Sequence, residues 1–100
     1  MSTVRAKKRK PTHPGAILRE DVLLSLNMTQ SELADKLGVS RRTISQVLHE
    51  HRPLTVDMAI RLAHFLGTTP KSWLNMQQAL DVWELEHKNA RLYAQIKKVA

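Results

Sequence analysis

Between Ser40 and Arg52 the chain reads Ser-Arg-Arg-Thr-Ile-Ser-Gln-Val-Leu-His-Glu-His-Arg. Wound as a helix, Ile44, Val47 and Leu48 share one apolar face at i, i+3 and i+4. Arg41, Arg42, Thr43, Ser45, Gln46 and His49 are left outside that face. All are hydrogen-bond donors or donor-acceptors, and none is an acid. That is the chemistry of a helix lying in a DNA major groove. Arg reads guanine O6 and N7, Gln reads adenine, and Ser or Thr bonds phosphates or bases.

Such a helix has to be presented at a fixed angle, and the residues before it supply the means. Thr29 is an N-cap with Glu32 three residues on, the spacing of a capping box. Leu33, Ala34 and Leu37 give the next helix its apolar stripe. Gly38 provides the left-handed residue at which that helix stops, Val39 plugs the corner, and Ser40 caps the second helix. Two short helices joined by a three-residue, Gly-containing turn make a helix-turn-helix. An ordinary helical hairpin would not need cap, glycine, plug and polar face to agree in one register.

The rest of the composition limits the alternatives. One hundred residues, 42% of them apolar, suit one small helical domain, and four aromatics with three glycines argue against a β-rich fold. The absence of cysteine removes disulfides, thiolate metal sites and a cysteine nucleophile. No apolar run approaches a membrane span and no signal-peptide pattern follows the basic start, so a cytoplasmic protein is expected. Five histidines show no i, i+4 pair with an acidic third ligand, so no metal is expected. No catalytic residues are expected either: there is no phosphate-binding glycine loop, no nucleophile elbow and no convergent acid pair. No cofactor is implied. The net charge of +7 is uneven: residues 1–10 hold five Lys or Arg and no acid, whereas the remainder holds eleven against nine acids.

In chain order, residues 1–11 read as a basic, disordered arm. It could lie along phosphates or be a solubilising tail. A domain over residues 12–88 follows, with residues 89–100 as an extension of the last helix or a tail. Pro14 opens helix 1, running to about residue 25, with Ile17, Leu18, Val22 and Leu24 as its candidate buried side and Arg19, Glu20 and Asp21 outside. Arg52-Pro53-Leu54 breaks the chain after helix 3. Thr55 caps helix 4, whose inner stripe is Met58 or Ala59, Leu62, Ala63 and Leu66, and Gly67 ends it. Thr69-Pro70 starts helix 5, which carries Trp73, Leu74, Met76 or Gln77, Leu80, Trp83 and Leu85, with helicity extending toward Tyr93 and Ile96. The expected fold is all-α: five helices in the plan of a phage-repressor-like DNA-binding domain, the helix-turn-helix formed by helices 2 and 3.

Several of these segments together resemble a known family. His13-Pro14-Gly15-x-Ile17-Leu18, the helix-turn-helix, Ala59-x-Arg61-Leu62-Ala63 and Trp73-Leu74-Asn75-x-Gln77 are similar to the HigA-type antitoxins of the Xre superfamily, over about residues 12–85. The resemblance implies a dimeric repressor of its own operon that binds double-stranded operator DNA and a small RNA-cleaving toxin of the HigB type. By position it implies that Gln30 holds a phosphate and that Ser40, Arg41, Arg42, Thr43 and Gln46 face the groove; Ser45 and Arg52 complete the expected DNA-binding set. Family members often carry Asn-Gly-Lys-Arg where this chain has His49-Glu50-His51-Arg52. No tight glycine turn is available there, and Glu50 has to point away from phosphates. A stand-alone regulator without a toxin, and a toxin-neutralising module that no longer binds DNA, are the alternatives.

Trp73 is expected in the core against helices 1 and 4. Leu80 and Trp83 are expected as a dimer or partner contact, with coverage of the chain's own helix 1 the competing use of Trp83. Two-fold operators favour the dimer.

Overall fold

The computed structural model describes residues 9–99, and every regular element among them is a helix. Helix α1 covers residues 14–25 in three continuous pieces: Pro14–Ile17, a π turn at Leu18–Val22, and Leu23–Ser25. It is followed by α2 (Gln30–Leu37), α3 (Arg41–Leu48), α4 (Val56–Leu66), α5 (Pro70–Lys88) and a single-turn α6 (Ala90–Ala94). Residues 1–8, most of the basic arm, lie outside the described residues.

The helix boundaries follow from their caps. Thr29 Oγ1 accepts from the Glu32 N–H (3.1 Å), and Glu32 Oε1 accepts from the Thr29 N–H (2.9 Å), closing the capping box. Ser40, Thr55 and Thr69 each accept from the backbone N–H three residues on. Gly38 ends α2 at φ 71°, and the Val39 N–H returns to the Ala34 carbonyl (3.0 Å), so the backbone itself turns the corner between α2 and α3.

One expectation fails on α1. Leu24 is 75% exposed, while Leu23 is 8% exposed and joins the core. The cause is the π turn: the Leu23 N–H bonds to the Leu18 carbonyl five residues back, which moves the inward face on by one residue. A period of 3.6 carried straight through the helix misses that step. Arg19, expected outside, sits in this wide turn and reaches back across α3.

Leu18, Leu33, Ile44, Leu48 and Leu62 are fully buried and form the centre of the core, with Trp73 beside them. Each such aliphatic side chain contributes about 2 kcal/mol through burial. They come from all of α1 to α4, so the hydrophobic core itself sets the angle of the helix-turn-helix. Trp73 donates its indole N–H to Thr68 Oγ1 (2.8 Å), which satisfies its one polar atom. The last expected helix is broken at Asn89, after which α6 ends at Ala94 and Ile96 is no longer helical.

Candidate nucleic-acid interface

On α3, with about 100° between successive residues, Arg42 and Gln46 lie opposite the Ile44–Val47–Leu48 face. Arg41 and Thr43 lie on its flanks. Arg42 is exposed, and no polar partner holds its guanidinium among the described residues. Gln46 is half-buried, and its Oε1 has no hydrogen-bond partner there either. That Oε1 is closed to solvent, so it is the exposed Arg42 guanidinium that base edges would complete, with Gln46 joining once its side chain turns outward. Arg41 is exposed but tethered, donating from Nη1 to Ser31 Oγ (3.1 Å) on α2. Ser40 and Thr43 are linked hydroxyl to hydroxyl (2.9 Å) at the helix start. Ser45 is half-buried, and the His49 Nδ1–H donates to its carbonyl (2.8 Å). Gln30 is the first residue of α2, half-buried beside backbone N–H groups that have no helical acceptor. Arg52 is exposed on the turn after α3. The fold therefore gathers all eight expected DNA-facing residues onto α3, its turn and the adjacent start of α2.

Several residues that sequence reasoning gave no such role hold this face in place. Gly15 lies against α3 so closely that a Cβ there would stand 1.9 Å from the Val47 carbonyl oxygen. His13 uses both ring nitrogens: Nδ1 accepts from the Gly15 N–H (2.9 Å), and the Nε2–H donates to the Arg52 carbonyl (3.1 Å). Arg19 donates to the Leu48 carbonyl at the end of α3 and pairs with Glu50 (3.4 Å). Its hydrogen bond to Glu20, and then Glu50, raises an already high pKa, so it stays charged. Arg61 donates to the Leu37 carbonyl (2.8 Å) at the end of α2 while bonded to Asp57 (2.8 Å). Gln77, buried in α5, accepts from the Leu54 N–H (2.8 Å) and donates to Asp81 (2.9 Å). The missing glycine after α3 is also accounted for. Glu50 itself takes the left-handed conformation at φ 63°, and its carboxylate turns to Arg19, away from the reading face.

Set beside known proteins, this geometry has clear counterparts. The helix-turn-helix family pattern HTH_3 matches residues 18–74. The chain belongs to the helix-turn-helix family. Family membership makes it a regulator-type binding protein and not an enzyme. It is 44% identical over 79 residues to an uncharacterized HTH-type transcriptional regulator of Haemophilus influenzae, spanning 79% of this chain and 74% of that one. It is 38% identical over 85 residues to the antitoxin HigA-1 of Vibrio cholerae, spanning 85% and 80%. The solved structure of the Pseudomonas aeruginosa antitoxin HigA with the higBA promoter superposes with a TM-score of 0.85 at 31% identity, over 90% of this chain and 99% of that one. The expected family is thus the observed one.

The far end of α5 in this helix-turn-helix chain differs from expectation. Leu80 is 4% exposed, buried within its own chain, and is not part of an exposed patch with Trp83. Its position one turn after Gln77 places it on the inner face of α5. Trp83 is half-buried, stacked on His87 with ring centroids 3.8 Å apart, and Lys10 lies 6.0 Å from its ring centroid. Its indole N–H has no acceptor among the described residues. Lys10 also pairs with Glu84 (3.4 Å), so the described end of the basic arm runs along α5. Among the described residues no group of three or more His, Cys, Asp or Glu could hold a metal ion, and no helix is long and apolar enough to cross a membrane.

Proposed function

We propose that this protein is a cytoplasmic, sequence-specific repressor that binds double-stranded operator DNA as a homodimer, autoregulates its own operon and neutralises a HigB-type RNA-cleaving toxin. The observation that carries the DNA reading is the outer face of α3, where the exposed Arg42 has no polar partner among the described residues and every neighbour is a donor or donor-acceptor. In this reading Arg42 and Gln46 contact base edges, and Arg41 shares that work from the flank. Ser40, Thr43 and Ser45 complete the groove contacts, while Gln30 and Arg52 hold phosphates. The domain over residues 12–88 is the DNA-binding body, preceded by the basic arm over residues 1–11. The HigA relatives support the antitoxin half of the proposal, and the H. influenzae regulator supports a second reading, a stand-alone repressor. Footprinting of the region upstream of its own gene tests the operator, where a protected two-fold site is expected. Co-expression with the product of the neighbouring reading frame tests the antitoxin. Relief of a growth arrest supports the module, and its absence leaves the stand-alone regulator.

A further inference from the structure

The segment 49–54 leaves the recognition helix and carries its alignment on to α4, and it is held by side chains that belong to neither. Two of its backbone groups, the Arg52 carbonyl and the Leu54 N–H, are bound by His13 from the start of α1 and Gln77 from α5. They lie two residues apart, just after the Arg52 side chain, and are anchored from two different helices; just before it the His51 N–H bonds to the Gln46 carbonyl (2.8 Å), so the backbone on both sides is fixed. The guanidinium itself is exposed. A cap for α1 alone would need no histidine, since Asn, Asp, Ser or Thr serves at that position. Those side chains are too short to reach a second backbone group across the chain. The imidazole reaches because its two nitrogens point in opposite directions, one accepting and one donating.

We infer that His13, with Gln77, is a positioning residue for DNA binding: the two hold segment 49–54 in the shape that sets the Arg52 guanidinium against a phosphate. The inference rests on the DNA-binding reading above. It makes the His-Pro-Gly start and the Gln77 position parts of one device, which bracket the chain leaving α3.

The test is a salt titration of binding to the footprinted operator fragment, using the full chain, for wild type, His13→Asn, Arg52→Ala and the double variant. Asn at position 13 retains the acceptor for the Gly15 N–H and removes the reach to Arg52, so the fold should be kept while the melting temperature falls by the loss of one hydrogen bond. Loss of one phosphate contact lowers the slope of log K against log salt by about 0.9, or roughly eightfold in affinity at 0.1 M salt. That loss is expected for Arg52→Ala, again for His13→Asn, and only once in the double variant. Gln77→Met, which keeps the volume but removes the acceptor under Leu54, is the second probe and should show the same loss. A folded His13→Asn or Gln77→Met with the full wild-type slope overturns the inference, as does a double variant that loses two contacts. An unchanged slope for Arg52→Ala also overturns it, while the DNA reading itself stands as long as Arg41 and Arg42 variants weaken binding.

Discussion

The recognition helix α3 and the far end of α5 both show side chains to solvent, but they are supported differently. Around α3, His13, Gly15, Arg19 and Arg61 come from α1, its start and α4, and each meets a backbone group of the helix-turn-helix or the turn after it. The exposed residues of α3 are polar, and their direction is fixed by the chain alone. Beyond Leu80 the pattern reverses. Val82, Leu85, Leu92 and Ile96 are 47–71% exposed, while Trp83 stacks on His87 and Lys10 reaches both Trp83 and Glu84. Exposed apolar side chains gathered toward one end of a small protein suit an interaction surface. In the proposed function the reading face is complete in one chain, and the α5 end is the part that a second copy would cover.

The sharpest way to break the first half of that contrast is Gly15→Ala. The added methyl meets the Val47 carbonyl, which is backbone and cannot step aside. A cost of about 3 kcal/mol is expected. At 4–8 °C per kcal/mol this lowers the melting temperature by more than 10 °C. A variant that melts like wild type would show that α1 does not set the position of α3.

For the other half, Trp83→Ala should weaken self-association by about 2 kcal/mol while leaving a folded monomer, since the ring is only half-buried in its own chain. Sedimentation of both proteins at micromolar concentration is the check. A wild type that runs as a monomer without DNA would leave Trp83 as cover for its own helix.

Deleting residues 1–10 separates the two regions by charge. It removes five positive charges, and the two described residues it takes, Arg9 and Lys10, are exposed, so melting should change little. Each phosphate that the arm contacts should cost about 0.9 in the salt slope. An unchanged slope would assign the arm to the α5 end, where Lys10 already pairs with Glu84.

The smallest effect concerns the capping box. The Glu32 carboxylate is held below the ordinary glutamate range, chiefly by its hydrogen bond from the Thr29 N–H. A lowered folded-state pKa means its stabilisation is present above the unfolded value, about 4.3, and fades as pH falls below it through the folded value. Glu32→Gln should therefore melt slightly below wild type at neutral pH and converge with it in acid. A gap that widens on acidification would contradict this sign.

How much of this was legible beforehand differs between the same two regions. The helix-turn-helix could be read because its signals are local: Thr29 with Glu32, Gly38, Ser40, and an apolar stripe on each helix. Leu24 was misplaced because a π turn leaves no mark in residue type. Leu80 was misplaced because a helix that crosses the core and then leaves it has no sequence signal for the crossing point. The holding roles of His13, Arg19, Arg61 and Gln77 were invisible for another reason: each bonds a backbone group between 23 and 39 residues away, and a backbone carbonyl has no residue identity. The His-Pro-Gly and Trp-Leu-Asn-x-Gln segments stood out as patterns, and only the fold shows what their His13 and Gln77 hold.

The central claim is that the outer face of α3 reads DNA. Its most direct test is salt-titrated binding of wild type and the Arg41→Ala, Arg42→Ala double variant to the footprinted operator and to unrelated DNA, with Gln30→Ala alongside. The double variant should melt like wild type yet lose about 1–3 kcal/mol per base-reading residue on the operator, with relaxed specificity, while Gln30→Ala weakens both DNAs evenly. A folded double variant that binds the operator as tightly and as selectively as wild type would contradict the account.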